Sequence, residues 1–291
     1  MVPEVVGSNP IDRPIFSPSC VRCGLLYQAK SPLADAGANC QRALTKSLAE
    51  TMHGFANPAR FLRLARWLSP LLLGLGVVLA AGAMAWGVFA APADQLQGET
   101  VRIVYLHVPT AWLGMGGWTA IAAASLAELV WRHPLAGIAG RAIAIPGAAF
   151  AAICLVTGSI WGRPAWGTWW VWDGRLTSML VLFFLYLAYA ALADAARRDG
   201  EAGSRIPAIF GLVGAVNIPV IHYSVLWWNS LHQPPSITMG QSAMAPEFLM
   251  PLLVSTAGFS CLFGAVVLMR MRAILANQQA EARLRRKAMA A

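Results

Sequence analysis

Six apolar stretches, each near the ~20 residues that cross ~30 Å of hydrocarbon, constrain this chain more than any other feature. They run roughly from Trp67 to Ala90, Val104 to Trp131, Ala142 to Ile160, Leu176 to Ala193, Ile206 to Trp228 and Phe248 to Met269. Lipid leaves no water for an unpaired backbone group, so such runs specify membrane helices. The expected fold class is an all-α integral membrane protein, a six-helix transmembrane bundle with a tryptophan-rich outer loop. Charged residues are only 12% of the chain and hydrophobic residues 57%, which argues against a soluble enzyme, a disordered chain and a disulfide scaffold. The net charge of +9 fits positive loops on one side of a membrane better than a nucleic-acid binder.

The basic residues test the topology. Arg60, Arg63 and Arg66 precede the first segment; Arg132 and Arg141 separate the second from the third. Arg197, Arg198 and Arg205 separate the fourth from the fifth, and Arg270, Arg272, Arg283, Arg285, Arg286 and Lys287 follow the sixth. Six crossings put all fourteen on one side, against three on the other: Arg102, Arg163 and Arg175. Both termini are then expected in the cytoplasm.

Residues 1–60 read as a flexible cytoplasmic tail, 61–272 as the membrane domain and 273–291 as a basic cytoplasmic tail. The basic run at Arg283, Arg285, Arg286 and Lys287 suits anionic membrane lipid. Met52 opens an ordinary lead into the first helix and is an alternative translation start. Cys20, Cys23, Cys40 and His53 have the composition of a zinc site but a loose spacing. Unpaired thiols in a tail are the simpler reading.

The outer face receives three connections, about Pro92 to Ile103, Trp161 to Arg175 and Asn229 to Glu247. Five of the twelve tryptophans, Trp161, Trp166, Trp169, Trp170 and Trp172, fall within twelve positions of the second. An interfacial belt needs one or two rings per helix end. Gly162, Pro164, Gly167 and Gly174 argue against a regular helix across this stretch. So many rings beside a bilayer suit a large, flat, apolar ligand. His107 and His232 are expected at the same level, and neutral imidazole is a common axial ligand of haem iron, which accepts two. His222 lies deeper, and a hydrogen bond between helices accounts for it. Arg175, Arg102 and Arg163 are the outer cations available to a carboxylate such as a haem propionate. Snorkelling or pairing with Asp173 are the simpler roles.

With these residues in view, Trp161-Gly-x-Pro-x-Trp-Gly-Thr-Trp-Trp-x-Trp-Asp-x-Arg-Leu-Thr-Ser178 resembles the WWD signature of haem-handling proteins. Tyr105-Leu-His-Val-Pro109 and Ile221-His-Tyr-Ser-Val-x-Trp-Trp-Asn-x-Leu-His-Gln233 resemble the flanking histidine motifs. Size and helix count are similar to the CcmC branch of that family, which acts in cytochrome c maturation, and the likeness covers roughly Phe61 to Arg272. The resemblance implies haem b held at the outer face of a bacterial inner membrane. It implies axial ligation by His107 and His232 and a ligand surface at Trp161, Trp166, Trp169, Trp170, Trp172 and Asp173, with Arg175 and Arg102 beside it. It implies presentation to the haem chaperone CcmE, alongside the ATP-binding-cassette subunits CcmA and CcmB and the small membrane protein CcmD. Gly174 departs from the pattern, where the family usually has Ala or Pro, and is expected to loosen the backbone before Arg175.

No acid, base or nucleophile constellation stands out, so positioning is the expected mode of action. Two alternatives remain: a membrane-spanning subunit of a haem transporter, which needs a polar path across the bilayer, and a scaffold whose tryptophans dock a protein.

Overall fold

The computed structural model describes residues 57–198, 205–228, 230–232, 237–238 and 241–290. The tail expected over residues 1–60 lies almost wholly outside these, as does the Cys20, Cys23, Cys40 and His53 grouping. Helix α1 spans Pro58–Phe89, α2 Val104–Trp131, α3 Ala136–Trp166 and α4 Gly174–Arg198. Helix α5 (Ile206–Gly214) and α6 (Asn217–Trp227) follow, then a two-residue hairpin, β1 (Ile237–Thr238) with β2 (Gln241–Ser242), and α7 (Pro246–Ala290). A 3-10 turn at Glu99–Ile103 leads into α2. Six helical spans, counting α5 and α6 as one, are long and apolar enough to cross a membrane, and the chain is a multi-pass membrane protein.

Sequence punctuation sets the ends. Asn57 caps α1, its Oδ1 accepting from the Ala59 N–H at 2.9 Å, with Pro58 at the first helical position. Helix α3 stops at Gly167, whose φ of +79° is the left-handed cap that glycine adopts without a Cβ penalty.

Three boundaries differ from expectation. The fifth apolar run is broken: Ala215 and Val216 donate to Leu212 and Val213, three residues back rather than four. Pro219 explains this, because it lacks an N–H and its ring displaces the carbonyl four residues earlier, at Ala215. Helix α3 runs on through Gly162 and Pro164 to Trp166, so the tryptophan stretch is half helix and half loop. Neighbouring helices re-satisfy backbone groups that a proline frees in a membrane. Helix α7 extends to Ala290, well past the Met269 at which the sixth apolar run ends.

The core lies where α2, α3, α4 and α5 meet. Trp118, fully buried, receives Tyr186, Tyr189 and Phe210 edge-on at centroid distances of 5.0, 6.0 and 6.3 Å. Tyr186 donates to the Gly114 carbonyl at 2.6 Å, which satisfies its hydroxyl inside the apolar core. Helices α1 and α7 form a separate seam. There a Cβ on Gly258 would stand 2.5 Å from the Ala80 backbone nitrogen, so only glycine allows this approach. Arg141 on α3, Arg197 on α4 and Arg270 and Arg272 on α7 make their polar contacts at one end of the bundle. The tryptophan stretch lies at the other.

Candidate functional site

The site is built around the carboxyl-terminal turns of α3. His107, four residues into α2, places Nδ1 3.0 Å from Thr157 Oγ1 on α3. The Thr157 hydroxyl donates to the Ile153 carbonyl at 2.7 Å. Its single hydrogen is thereby used, so toward His107 it accepts. That arrangement favours the tautomer protonated on Nδ1, and Nε2 makes no hydrogen bond among the described residues. Trp161, one turn further along α3, meets the His107 ring edge-on at 5.6 Å. Gln97 holds Trp161 in place, accepting from its indole N–H at 2.9 Å.

His232 is held from the other side. Its Nδ1 lies 2.8 Å from Asp173 Oδ2, and Ser230 donates to the same oxygen at 2.6 Å. The other carboxylate oxygen of Asp173 accepts from the Leu176 N–H at 2.8 Å, which caps α4. One carboxylate thus starts a helix and orients a histidine. Burial works to raise the Asp173 carboxyl. The hydrogen bonds from Ser230, Leu176 and His232 outweigh it and hold the group below the usual carboxylate range. Burial also lowers the His232 imidazole, and Arg175 adds to this, while Asp173 offsets part of it. At neutral pH the pair is an ionised carboxylate accepting from a neutral imidazole, and His232 Nε2 makes no hydrogen bond among the described residues.

Trp166 packs edge-on against the His232 ring at 4.7 Å. Trp161 and Trp166 are five residues apart on one helix, an axial rise of about 7.5 Å. The two histidines therefore approach the same short segment from different elements. Trp170 and Trp172 pack edge-on at 5.5 Å. Trp169 and Trp172 stay open, at 59% and 75% exposed, while the Trp170 indole N–H is buried without a hydrogen-bond partner among the described residues.

The cations are placed less uniformly. Arg175 reaches the His222 carbonyl at 3.4 Å. Arg102 pairs with Glu99 at 2.7 Å. Arg163 donates to the Gly167 carbonyl and closes the end of α3. His222 is exposed, its ring edge-on to Tyr223 at 4.8 Å, and its carbonyl rather than its ring ties two helices together. Gly174 is glycine for space: a Cβ there would meet the Trp228 ring at 2.8 Å. Its φ is not in the left-handed region, so close packing of α6, not a loosened backbone, accounts for the residue.

Sequence reasoning missed Thr157, Ser230 and Gln97. Ser230 offers a weak signal, a hydroxyl two residues before a histidine. Thr157 offers none, being one hydroxyl inside an apolar run.

Among the described residues no three His, Cys, Asp or Glu side chains converge on a metal position. Two imidazoles whose Nε2 atoms make no hydrogen bond among the described residues could serve as two axial ligands and would leave the equatorial positions to the ligand itself. That donor set, beside exposed indoles, fits a metalloporphyrin and not a bare ion.

This fold is that of a polytopic membrane protein with two hydrogen-bonded histidines set beside a cluster of indoles. The family model for heme exporter protein C matches residues 51–286, and the chain belongs to that family. It is similar to the heme exporter protein C of Bradyrhizobium diazoefficiens, 48% identical over 223 residues, covering 76% of this chain and 84% of the relative. It is also similar to that of Escherichia coli K12, 46% identical, covering 78% and 91%. A putative cytochrome c biosynthesis ccmC-like mitochondrial protein of Marchantia polymorpha is 40% identical, covering 70% and 87%.

Proposed function

We propose that the tryptophan end of the bundle binds haem b at the periplasmic face of the bacterial inner membrane and presents it to CcmE during cytochrome c maturation. The observation that carries this reading is that His107 and His232 are each held through Nδ1, by Thr157 and Asp173, beside the last turns of α3. Haem is the cargo, and it brings its own electrophile, the vinyl group. The chain supplies orientation. His107 and His232 take the two axial positions, which closes iron to oxygen chemistry. Trp161, Trp166, Trp169, Trp170 and Trp172 cover a face or edge. Arg175, and Arg102 once released from Glu99, hold propionates. The edge left open is the one CcmE would meet. The positive end then lies in the cytoplasm with both termini, next to CcmA, CcmB and CcmD, and near anionic lipid.

The break between α5 and α6 favours a second reading, a membrane-spanning subunit of a haem transporter, because broken helices line transport sites. Asn217, at the break, donates to the Ser178 carbonyl at 2.9 Å, so its amide is bonded within the bundle rather than aimed along a path.

The test is the absorption spectrum of protein purified from haem-replete membranes, compared with His107→Ala and His232→Ala. A low-spin bis-histidine spectrum, lost or converted to high-spin in both variants, is the expected result. Unchanged spectra would move the iron site elsewhere. Absence of haem from every sample would leave transport or scaffolding.

A further inference from the structure

We infer that Thr157 is a positioning residue for His107, and that the two histidines are unequal iron donors, with His232 the stronger. This rests on the haem-ligation reading above and deepens it.

The cradle of His107 is a stripe along one face of α3. Cys154, Thr157, Gly158 and Trp161 sit at helical spacing, so they stack on the same side. Cys154 Sγ is 4.0 Å from Nδ1, a contact too long and too weak a hydrogen bond to compete with Thr157 at 3.0 Å. Gly158 clears the space for the ring, since a Cβ there would come within 3.1 Å of His107 Cε1. Trp161 closes the far edge. Nothing in this cradle is charged. The nearest polar partner of the ring nitrogen is a hydroxyl whose proton is committed to the Ile153 carbonyl. That fixes which nitrogen faces the ligand, but a neutral acceptor draws little on the N–H.

His232 has the opposite arrangement. Its Nδ1–H points to an ionised carboxylate at 2.8 Å, and Ser230 steadies that carboxylate and accepts from the His232 backbone N–H at 3.1 Å. A carboxylate behind a ligating histidine fixes its tautomer and raises its donor strength. Charge-assisted hydrogen bonds are about twice as strong as neutral ones. One axial ligand is therefore geometrically fixed but electronically plain. The other is fixed and electron-rich.

The test is redox titration and electron paramagnetic resonance of haem-loaded Thr157→Val, Thr157→Ala, Thr157→Ser and Asp173→Asn beside wild type. Thr157→Val and Thr157→Ala should turn part of the haem high-spin, and Thr157→Ser, which keeps the hydroxyl, should restore the low-spin signal. Asp173→Asn keeps an acceptor and a helix cap but loses the charge. It should stay low-spin and change the ferric-over-ferrous preference by about tenfold, an upward shift of about 59 mV for one electron. Thr157→Ser should move the potential much less. If both hydroxyl-free variants match wild type in spin state and potential, Thr157 does not position His107. If Asp173→Asn moves the potential no more than Thr157→Ser, the histidines are equal donors. Should Thr157→Val not accumulate, Thr157→Ala decides the first question alone. A His107→Ala protein with the wild-type spectrum defeats the ligation reading itself, a result distinct from either of these.

Discussion

At the basic end of the bundle, Arg141 lies 3.8 Å from Asp194 and Arg197 3.1 Å from Glu281. Arg270 donates to the Ala142 carbonyl at 3.0 Å, and Arg272 to the Ser69 hydroxyl at 2.9 Å. These groups are spent on one another and tie α1, α3, α4 and α7 together. At the tryptophan end, two imidazoles are oriented by hydrogen bonds yet keep one nitrogen free, and two indoles are open to the surroundings. The first arrangement completes a fold. The second is preorganised for something outside the chain, because ordering side chains without using their bonding capacity costs conformational entropy that a ligand must offset.

Asp173→Ala is the sharpest way to break the contrast, since it removes the one group that serves both fold and site. His232 loses its acceptor, and loss of such a partner typically costs 10- to 100-fold in metal affinity. Haem retained per protein should fall by about that factor. The cap on α4 is lost as well, at a cost of about 1 kcal/mol in stability. Asp173→Asn should recover the cap, so thermal unfolding in detergent separates the two losses. Equal haem retention in wild type and Asp173→Ala would mean that the carboxylate serves only the helix.

Trp172→Ala gives a smaller effect confined to the ligand side. This ring is 75% exposed and supports little of the core. Aromatic contacts are worth about 0.5–1.5 kcal/mol beyond the area they cover, so haem retention should fall about three- to tenfold. Stability should stay within about 0.5 kcal/mol, as for other surface substitutions. A stability loss well above that, with haem retained, would make Trp172 a packing residue.

The two ends were unequally legible in the sequence. Six apolar runs and the one-sided arginines announce a bundle with a basic end, because hydropathy and charge are sums over many residues. The tryptophan stretch and His107 and His232 announce the other end, because those residue types are rare and dense there. What stayed hidden depends on single contacts. Asp173 reads as a structural carboxylate, and it is one, but its second oxygen points to a residue 59 positions away. Thr157 is unremarkable until α2 and α3 pack and set it against His107. Pro164 argues against a helix that in fact continues to Trp166, since bundle packing overrides local propensity. Helix α7 outruns its hydropathy because residues 273–290 are rich in Ala and Arg, with Leu and Gln among them, good helix formers, and no Gly or Pro to stop them.

Arg197→Ala should give the smallest effect, and it sharpens the comparison from the basic end. The Arg197 and Glu281 side chains are 44% and 47% exposed, so water screens much of their attraction. Exposed ion pairs contribute about 0.2–1 kcal/mol, and this pair joins α4 to α7. Thermal unfolding in detergent should drop by no more than that, and the drop should shrink as salt is raised. The haem spectrum should not change, because Arg197 lies at the opposite end of α4 from Asp173 and makes none of the hydrogen bonds that orient His107 or His232. The double variant Arg197→Ala, Glu281→Ala should be no less stable than Arg197→Ala alone, which isolates the pair from the loss of either side chain. A changed haem spectrum in Arg197→Ala would show the two ends to be coupled through α4, whose first turn is capped by Asp173. That outcome would replace a picture of two independent ends with one in which α4 carries a signal between them.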